Sequence, residues 1–199
     1  MTATAPVVVG LDLSLTSTGV CYDGTAWTIT TKQRGPARLE TIRDQIFSAP
    51  DTSTPGWDLV DLVAIEGYSY GSRNSHAHAL GELGGVIRLT LHDLHIPYVE
   101  IVPSARAKYA TGKGNASKDT VISAISSRTH HQFATSDEID AWILWAMCLD
   151  HYGHPPLTMP ASHRVALTKV TWPHLKGHPS DPKHAGPVPV RAGPEEGAR

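Results

Sequence analysis

Four carboxylates lie in apolar surroundings, where an unpaired negative charge is costly. Asp12 interrupts one apolar run and Glu66 ends a second. Asp137 and Asp140 open a third, which has helical spacing. A buried ionised carboxylate costs several kcal/mol unless a partner compensates it. A shared divalent cation would compensate all four, because hard metal ions take oxygen ligands and cancel the repulsion between them.

A cluster of this kind suits the hydrolysis of a phosphodiester. Two cations about 3.5–4 Å apart can activate a water and stabilise the leaving oxygen. Taken singly, two of the acids have plainer explanations. Asp137 could be an acid that the dipole at a helix start favours, and Glu66 could be an exposed strand end. Asp12 is the hardest to explain in this way, and the four acids together favour a metal site.

The elements predicted from the sequence bring these acids together. Residues 7–15, 19–22 and 25–32 are predicted to form an antiparallel meander, with Asp23 and Gly24 in its hairpin turn. Two further strands are expected over residues 59–66 and 98–102. Helices are expected over residues 36–47, 76–95, 104–110, 117–129 and 136–152. This order predicts an α/β fold with a mixed five-stranded sheet, whose first three strands are antiparallel, flanked by helices.

The connections make the first and fourth strands parallel neighbours. Side chains at the carboxyl ends of adjacent parallel strands lie side by side, so Asp12 and Glu66 should meet there. In the last helix, Asp137 and Asp140 are three residues apart and share one face, which should pack on the sheet. Glu138 is expected to point to water.

A short basic segment follows the fifth predicted strand. Arg106, Lys108, Lys113 and Lys118 fall within fifteen residues that contain no acid. Contacts between such cations and phosphates supply most of the non-specific affinity for DNA. A lysine near the metals could also stabilise charge that develops in the transition state. The alternative is an ordinary solvated surface.

A polar loop after Glu66 holds further candidates for DNA contact. Tyr68 and Tyr70 could stack on the exposed bases of a branch point, or they could pack on their own domain. Arg73 is a candidate for contact with a phosphate. The sequence leaves both alternatives for the tyrosines open.

The composition of the chain changes at Gly153. Of the 199 residues, 40% are hydrophobic and 18% are charged, which suits one domain with a proper core. Residues 153–199 hold nine of the fifteen prolines and carry a charge of +3, against −5 for the rest of the chain. We expect a folded domain over residues 1–152 and a Pro/His-rich, flexible tail over residues 153–199.

The cysteine content and the hydropathy of the sequence indicate the cellular compartment of the protein. Cys21 and Cys148 are the only two cysteines and have no paired spacing, and their apolar surroundings predict buried thiols. The sequence shows neither a signal peptide nor an apolar run of about 18 residues. We therefore expect a cytoplasmic protein with no membrane partner.

Three acidic motifs and the basic segment follow one another along the chain. The acidic motifs are residues 10–19 (GLDLSLTSTG), 64–66 (AIE) and 137–141 (DEIDA). The basic segment covers residues 102–108 (VPSARAK) and 112–118 (GKGNASK). In this order and spacing, residues 7–150 resemble the RuvC family of Holliday junction resolvases, which have the RNase H-like fold. Within that family they look like the RuvC-like endonucleases of phages and bacteria.

The resemblance implies that the protein is a crossover junction endodeoxyribonuclease. It implies cleavage of four-way and other branched DNA in a reaction that depends on Mg²⁺, for which Mn²⁺ can substitute. It also implies a homodimer that nicks opposing strands symmetrically, which suits the approximate two-fold symmetry of a junction. The glycine-containing helix over residues 76–95 could form the dimer contact or simply pack on the sheet. The expected role is DNA recombination or the processing of branched phage DNA.

The same resemblance assigns roles to individual residues. The metal-binding carboxylates of the family correspond to Asp12, Glu66, Asp137 and Asp140. Lys118 and Lys108 are the best candidates to hold the DNA backbone and offset charge, with Lys118 expected to act in catalysis. The aromatic residue that family members place at the junction centre corresponds to either Tyr68 or Tyr70.

Two other functions fit parts of the sequence. Residues 10–12, followed by Thr16 and Thr18, are also similar to the start of sugar kinases and actin-like ATPases. Those proteins need a second nucleotide-binding lobe, for which 199 residues are too few. The other alternative is a protein that binds junctions without cutting them. The four carboxylates argue against a pure binder, because they would repel phosphate.

Overall fold

The computed structural model describes residues 4–48, 56–67, 75–129 and 131–175. The strands are β1 (Val8–Asp12), β2 (Thr18–Tyr22), β3 (Thr25–Ile29), β4 (Leu62–Glu66) and β5 (Tyr98–Ile101). The helices are α1 (Gly35–Phe47), α2 (Ser75–Asp93), α3 (Pro103–Thr111), α4 (Lys118–Ser126), α5 (Ser136–His151) and the one-turn α6 (Ala161–Arg164). Short 3₁₀ turns cover Trp57–Leu59 and Val165–Lys169.

The strands form one mixed sheet in the order β3-β2-β1-β4-β5. β2 pairs antiparallel with both β1 and β3, whereas β4 pairs parallel with both β1 and β5. Asp23 and Gly24 turn the chain between β2 and β3 with φ angles of 47° and 80°, the positive values that a tight hairpin requires. The predicted five-stranded sheet, with its antiparallel first three strands and flanking helices, is confirmed.

The sheet separates two hydrophobic layers. Alternate residues of a strand point to opposite faces. In β1, Val8 packs in the layer that contains α3 and α5, whereas Val9 packs in the layer that contains α1 and α2. Leu62 of β4 also belongs to the α5 layer. Asp12 and Glu66 each lie four residues after one of these two positions, so both side chains point toward α5.

Two glycines allow α5 to lie directly on the sheet. A Cβ atom on Gly10 would collide with the backbone of Ala141, and one on Gly19 would collide with the backbone of Asp137. Glycine inside a strand often marks the close approach of another backbone. Here the approach brings the first turn of α5 beside the end of β1.

Residues 153–175 pack onto the domain, which differs from the flexible tail expected from their composition. Arg164 Nη2 lies 2.8 Å from Oδ1 of Asp150, a carboxylate that is 1% exposed. The Tyr109 hydroxyl donates to the same carboxylate at 3.0 Å. The buried apolar residues of this segment are Met159, Ala166, Leu167 and Leu175. Composition missed this packing because the apolar residues are few and irregularly spaced. Residues 176–199 lie outside the described residues, so a flexible tail there stays a prediction.

The two cysteines are buried free thiols, as their apolar neighbours predicted. Burial raises the pKa of both Cys21 and Cys148, so these thiols stay protonated and unreactive at neutral pH. Among the described helices, none combines the length and the apolar character that crossing a membrane requires.

Candidate metal centre

The acids meet where β1, β4 and the first turn of α5 come together. The parallel register of β1 and β4 places Asp12 beside Glu66 at the carboxyl ends of the strands, as predicted. α5 brings two more acids to the same place. Carboxylate oxygens of Asp12, Asp137 and Asp140 lie within 4.8 Å of one another. The predicted convergence of these side chains is confirmed.

Asp12 shows the electrostatic effect of this crowding. The pKa of Asp12 is raised to about 8, mainly by burial and then by the negative charge of Glu66 and a hydrogen bond with that residue. The positive charge of Arg106 acts in the opposite direction, while Asp137 adds to the increase. The surroundings therefore disfavour the charged form of Asp12. A bound cation would reverse this preference by stabilising the carboxylate.

The donor set fits a hard divalent cation. Every candidate ligand atom is a carboxylate oxygen. Mg²⁺, Mn²⁺ and Ca²⁺ prefer such oxygens and bind them at metal–oxygen distances of about 2.0–2.6 Å. Three such oxygens within 4.8 Å of one another can reach one ion between them. Asp12, Asp137 and Asp140 therefore form a group that could hold a divalent metal.

Asp137 is held by neighbours at both of its carboxylate oxygens. Ser17 Oγ donates a 2.5 Å hydrogen bond to Oδ2, and Lys118 Nζ lies 3.3 Å from Oδ1. Ser136 Oγ also donates to Oδ1, at 3.3 Å. The family resemblance of the sequence had already selected Lys118, together with Lys108, among the four cations of the basic segment. Ser17 was missed, because it is one of several hydroxyl residues after β1 and nothing in its spacing distinguishes it.

The structure places Arg106, which we predicted to contact DNA, against the acids. Its Nε lies 2.7 Å from Oε1 of Glu66, and its Nη1 contacts Oδ1 of Asp140. The arginine side chain is only 13% exposed. The sequence grouped it with the neighbouring lysines, because a run of positive charges does not reveal which member faces an acid.

The structure describes two of the other candidates for DNA contact. Lys108 is half-buried on α3, and Lys113 is exposed in the loop between α3 and α4. Tyr68, Tyr70 and Arg73 lie outside the described residues. The roles of all five in DNA binding stay predictions.

The expectation that Glu138 points to water is wrong. Its side chain is 8% exposed and accepts hydrogen bonds from the Ala134 backbone N–H at 2.7 Å and the Thr28 hydroxyl at 3.1 Å. The Thr135 hydroxyl in turn accepts from the Glu138 backbone N–H at 3.2 Å. A helical wheel misses this arrangement, because side chains at a helix start turn back to satisfy free N–H groups. Glu138 thus fixes the start of α5 and the position of its two aspartates.

Solved structures of a RuvC protein share this fold. RuvC of Thermus thermophilus matches with a TM-score of 0.57 and 18% sequence identity, covering 77% of this chain and 99% of that one. T. thermophilus RuvC in complex with a Holliday junction substrate matches with the same TM-score and identity, covering 78% and 99%. No protein-family model matches the sequence. At this identity the likeness shows the fold alone, which is the RNase H-like fold.

Proposed function

We propose that this protein is a structure-specific DNA endonuclease that resolves Holliday junctions and other branched DNA by metal-dependent hydrolysis. The observation that carries the proposal is the meeting of Asp12, Asp137 and Asp140 within 4.8 Å, with Glu66 beside them. The fold supports the choice of substrate, because a RuvC of this fold has been solved with a Holliday junction. Carboxylates alone would fit many phosphodiester substrates.

The four carboxylates are proposed to hold two Mg²⁺ ions, for which Mn²⁺ can substitute. When bound, such ions supply the activation of a water and the stabilisation of the leaving oxygen. Asp12, Asp137 and Asp140 provide one group of ligands, since their oxygens already lie close together. Glu66 completes the set from the neighbouring strand. Ser17 orients Asp137 by donating to one of its oxygens.

Lys118 is proposed to offset negative charge during the reaction. Its ammonium group lies 3.3 Å from Asp137, and its side chain is 56% exposed. It can therefore turn from the carboxylate toward a DNA phosphate that enters the site. A cation at this position favours the extra charge that the transition state carries. The residues proposed to bind the DNA backbone or stack on its bases are Lys108, Lys113, Arg73, Tyr68 and Tyr70.

A homodimer is proposed to present two sites to one junction. Within the part of the chain that the structure describes, nothing lies within 4 Å of a Cβ built on Gly81 or Gly85. Leu89 is 61% exposed although it is a large apolar residue. These three residues follow at intervals of four and so line one face of α2. A close contact between two copies of this face would suit the symmetry of the substrate.

The test is cleavage of a synthetic four-way junction, compared with a linear duplex, in Mg²⁺, Mn²⁺ or Ca²⁺. The wild-type protein should cut the junction and spare the duplex in Mg²⁺ and in Mn²⁺. Asp12→Asn should cut neither, because the amide removes a charged metal ligand. Asp44→Asn, at an exposed position on α1, is the matched control and should cut normally. An intact junction in both metals, or equal cutting by Asp12→Asn, contradicts the proposal.

A further inference from the structure

Arg106 fills part of the space in which the acids meet. The residue lies in the first turn of α3, and its side chain is 13% exposed. Its Nε lies 2.7 Å from Glu66 Oε1, while its Nη1 contacts Oδ1 of Asp140. Asp140 is itself only 5% exposed. The guanidinium is therefore an internal counter-ion to two of the four acids.

This contact divides the acidic cluster into two groups. Asp12, Asp137 and Asp140 have oxygens close enough to share one ion, and Glu66 does not belong to that group. One oxygen of Glu66 faces the guanidinium instead. Asp140 belongs to both groups, because it also touches Arg106. In the first group, Asp137 pairs with the exposed ammonium of Lys118, which can turn away, whereas both acids of the second group contact the mostly buried guanidinium of Arg106.

The contact between Arg106 and Glu66 is short but poorly aligned. Glu66 Oε1 and Arg106 Nε and Nη1 are buried at ion-pair distances, yet none of them makes a hydrogen bond of acceptable angle. The strong form of an arginine–carboxylate pair has two parallel, well-directed hydrogen bonds. Arg106 thus compensates the charge of these acids without the paired hydrogen bonds of the strong form.

The guanidinium and a divalent cation are alternative partners for these oxygens. Arginine keeps its positive charge at every physiological pH, so Arg106 cannot make room by losing a proton. Two cations at the same carboxylates would repel each other strongly in this half-buried site. A metal ion that joins both Glu66 and Asp140 therefore requires the side chain of Arg106 to move.

We propose that Arg106 competes with the second divalent cation for Glu66 and Asp140, and that a DNA phosphate draws the guanidinium away. The inference rests on the proposed function, which supplies both the metal and the DNA. Phosphate is a suitable alternative partner, because guanidinium binds it through two parallel hydrogen bonds. Arg106 would then link substrate binding to completion of the metal site, and Glu66 would become a ligand only when DNA is present.

The test measures metal binding without DNA. Mn²⁺ is titrated by calorimetry into wild-type protein stripped of divalent metal, and into Arg106→Leu. The wild type should bind one ion per chain strongly and a second weakly. Arg106→Leu should bind the second ion about 10–100-fold more tightly, the range over which groups that touch metal ligands change affinity. Arg88→Leu is the matched control, because Arg88 pairs with Glu100 outside the cluster at 2.6 Å.

Glu66→Gln combined with Arg106→Leu should lose the gain in affinity, because the released carboxylate is then absent. Unchanged binding of the second ion in Arg106→Leu overturns the inference. Two equally strong sites in the wild type, or none, also overturn it, and this result does not depend on the folding of any variant. Junction cleavage is scored separately. If the wild type never cuts junctions but Arg106→Leu binds the second ion more tightly, only the proposed function is contradicted. If the wild type cuts junctions but Arg106→Leu binds the second ion no more tightly, only the competition between Arg106 and the metal is contradicted.

Discussion

Asp12 shows what the acidic cluster costs the protein that contains it. The carboxyl ends a buried strand, beside Glu66 and near Asp137, and its pKa is raised to about 8. The surroundings thus oppose the charge that a metal ligand needs. Strongly perturbed carboxyls are typical of functional sites, where stability is given up for activity. The proposed metal site would account for a carboxyl that the fold holds where its charged form is disfavoured.

Asp12→Asn should stabilise the protein when no divalent metal is present. The amide keeps the shape of the side chain and removes one of several crowded negative charges. We expect the free energy of unfolding in EDTA, measured with urea, to rise by about 0.5–2 kcal/mol. The raised pKa means that the wild type loses stability as the pH rises from 3.8 to about 8. The gain should therefore be larger at about pH 9 than at about pH 5.

Asp93→Asn provides the control for this measurement, since its exposed position carries no comparable crowding. Its free energy of unfolding should match that of the wild type to within about 0.5 kcal/mol at either pH. Added Mg²⁺ should stabilise the wild type and Asp93→Asn by mass action, and Asp12→Asn much less. If Asp12→Asn is less stable than the wild type in EDTA at high pH, the repulsion among the acids has been misjudged.

The position of α5 depends on close contact between backbones. Gly10 and Gly19 leave room for the first turns of α5, in which Asp137 and Asp140 lie. Thr135 and Glu138 fix the helix start through hydrogen bonds to backbone N–H groups. The acids on α5 thus reach Asp12 because a helix end, rather than a loop, carries them to the sheet.

Gly19→Ala should displace α5 and weaken the metal site. The added methyl group would meet the backbone of Asp137, which cannot rotate away as a side chain could. We expect a loss of about 1–3 kcal/mol in the free energy of unfolding, as for other overpacked positions. Junction cleavage at saturating Mg²⁺ should fall by about 100-fold, because ligands displaced by about 1 Å lose that much activity.

Gly81→Ala makes the same substitution where there is open space. Alanine favours a helix over glycine by up to about 1 kcal/mol, so this variant should be at least as stable as the wild type. Its affinity for Mn²⁺ should be unchanged, because α2 packs on the face of the sheet opposite α5. Normal cleavage by Gly19→Ala would show that the close approach of α5 and β2 is not required for the site.

Local periodicity was enough to predict most of the framework around the site. Apolar runs predicted the strands that carry Asp12 and Glu66, and the order of connections made these strands parallel neighbours. Helical spacing put Asp137 and Asp140 on one face. These relations depend on residues near each other in sequence and on the standard geometry of strands and helices. The mixed sheet followed from the order of the elements.

Contacts between distant segments were not predictable in the same way. Ser17 meets Asp137 across 120 residues, and nothing in its own neighbourhood marks it. Arg106 was identified as a cation, but its partners lie on β4 and α5. Arg164 anchors a segment whose composition suggested disorder. Composition does not reveal a single ion pair such as the one that Arg164 forms with the buried Asp150. Each case depends on which surfaces face each other after folding.

The proposed reaction needs two cuts, whereas the described residues of one chain form a single acidic cluster that could hold a metal. α2 packs on the sheet through Leu83, Ile87 and Leu91, which are fully buried. Its other side carries Leu89, 61% exposed, in line with two glycines that leave the helix backbone accessible. An apolar residue on such an accessible face is suited to contact with a second copy of the helix.

Leu89→Glu should therefore give a folded monomer. A carboxylate on each copy would place like charges together in the contact, while the exposed position should change the stability of the chain by no more than about 0.5 kcal/mol. Sedimentation equilibrium should show a dimer for the wild type and a monomer for this variant. On a four-way junction, the variant should nick single strands independently, whereas the wild type should nick two opposing strands together.

Leu59→Glu alters a leucine that is 56% exposed on a 3₁₀ turn, and this control should remain dimeric. The comparison separates the loss of a specific contact from a general effect of added charge. A monomeric wild type would contradict the dimer itself. A Leu89→Glu protein that stays dimeric and still makes paired nicks would show that the dimer contact lies on another surface. Two like charges facing each other across a pair of α2 helices would have prevented dimerisation through that face.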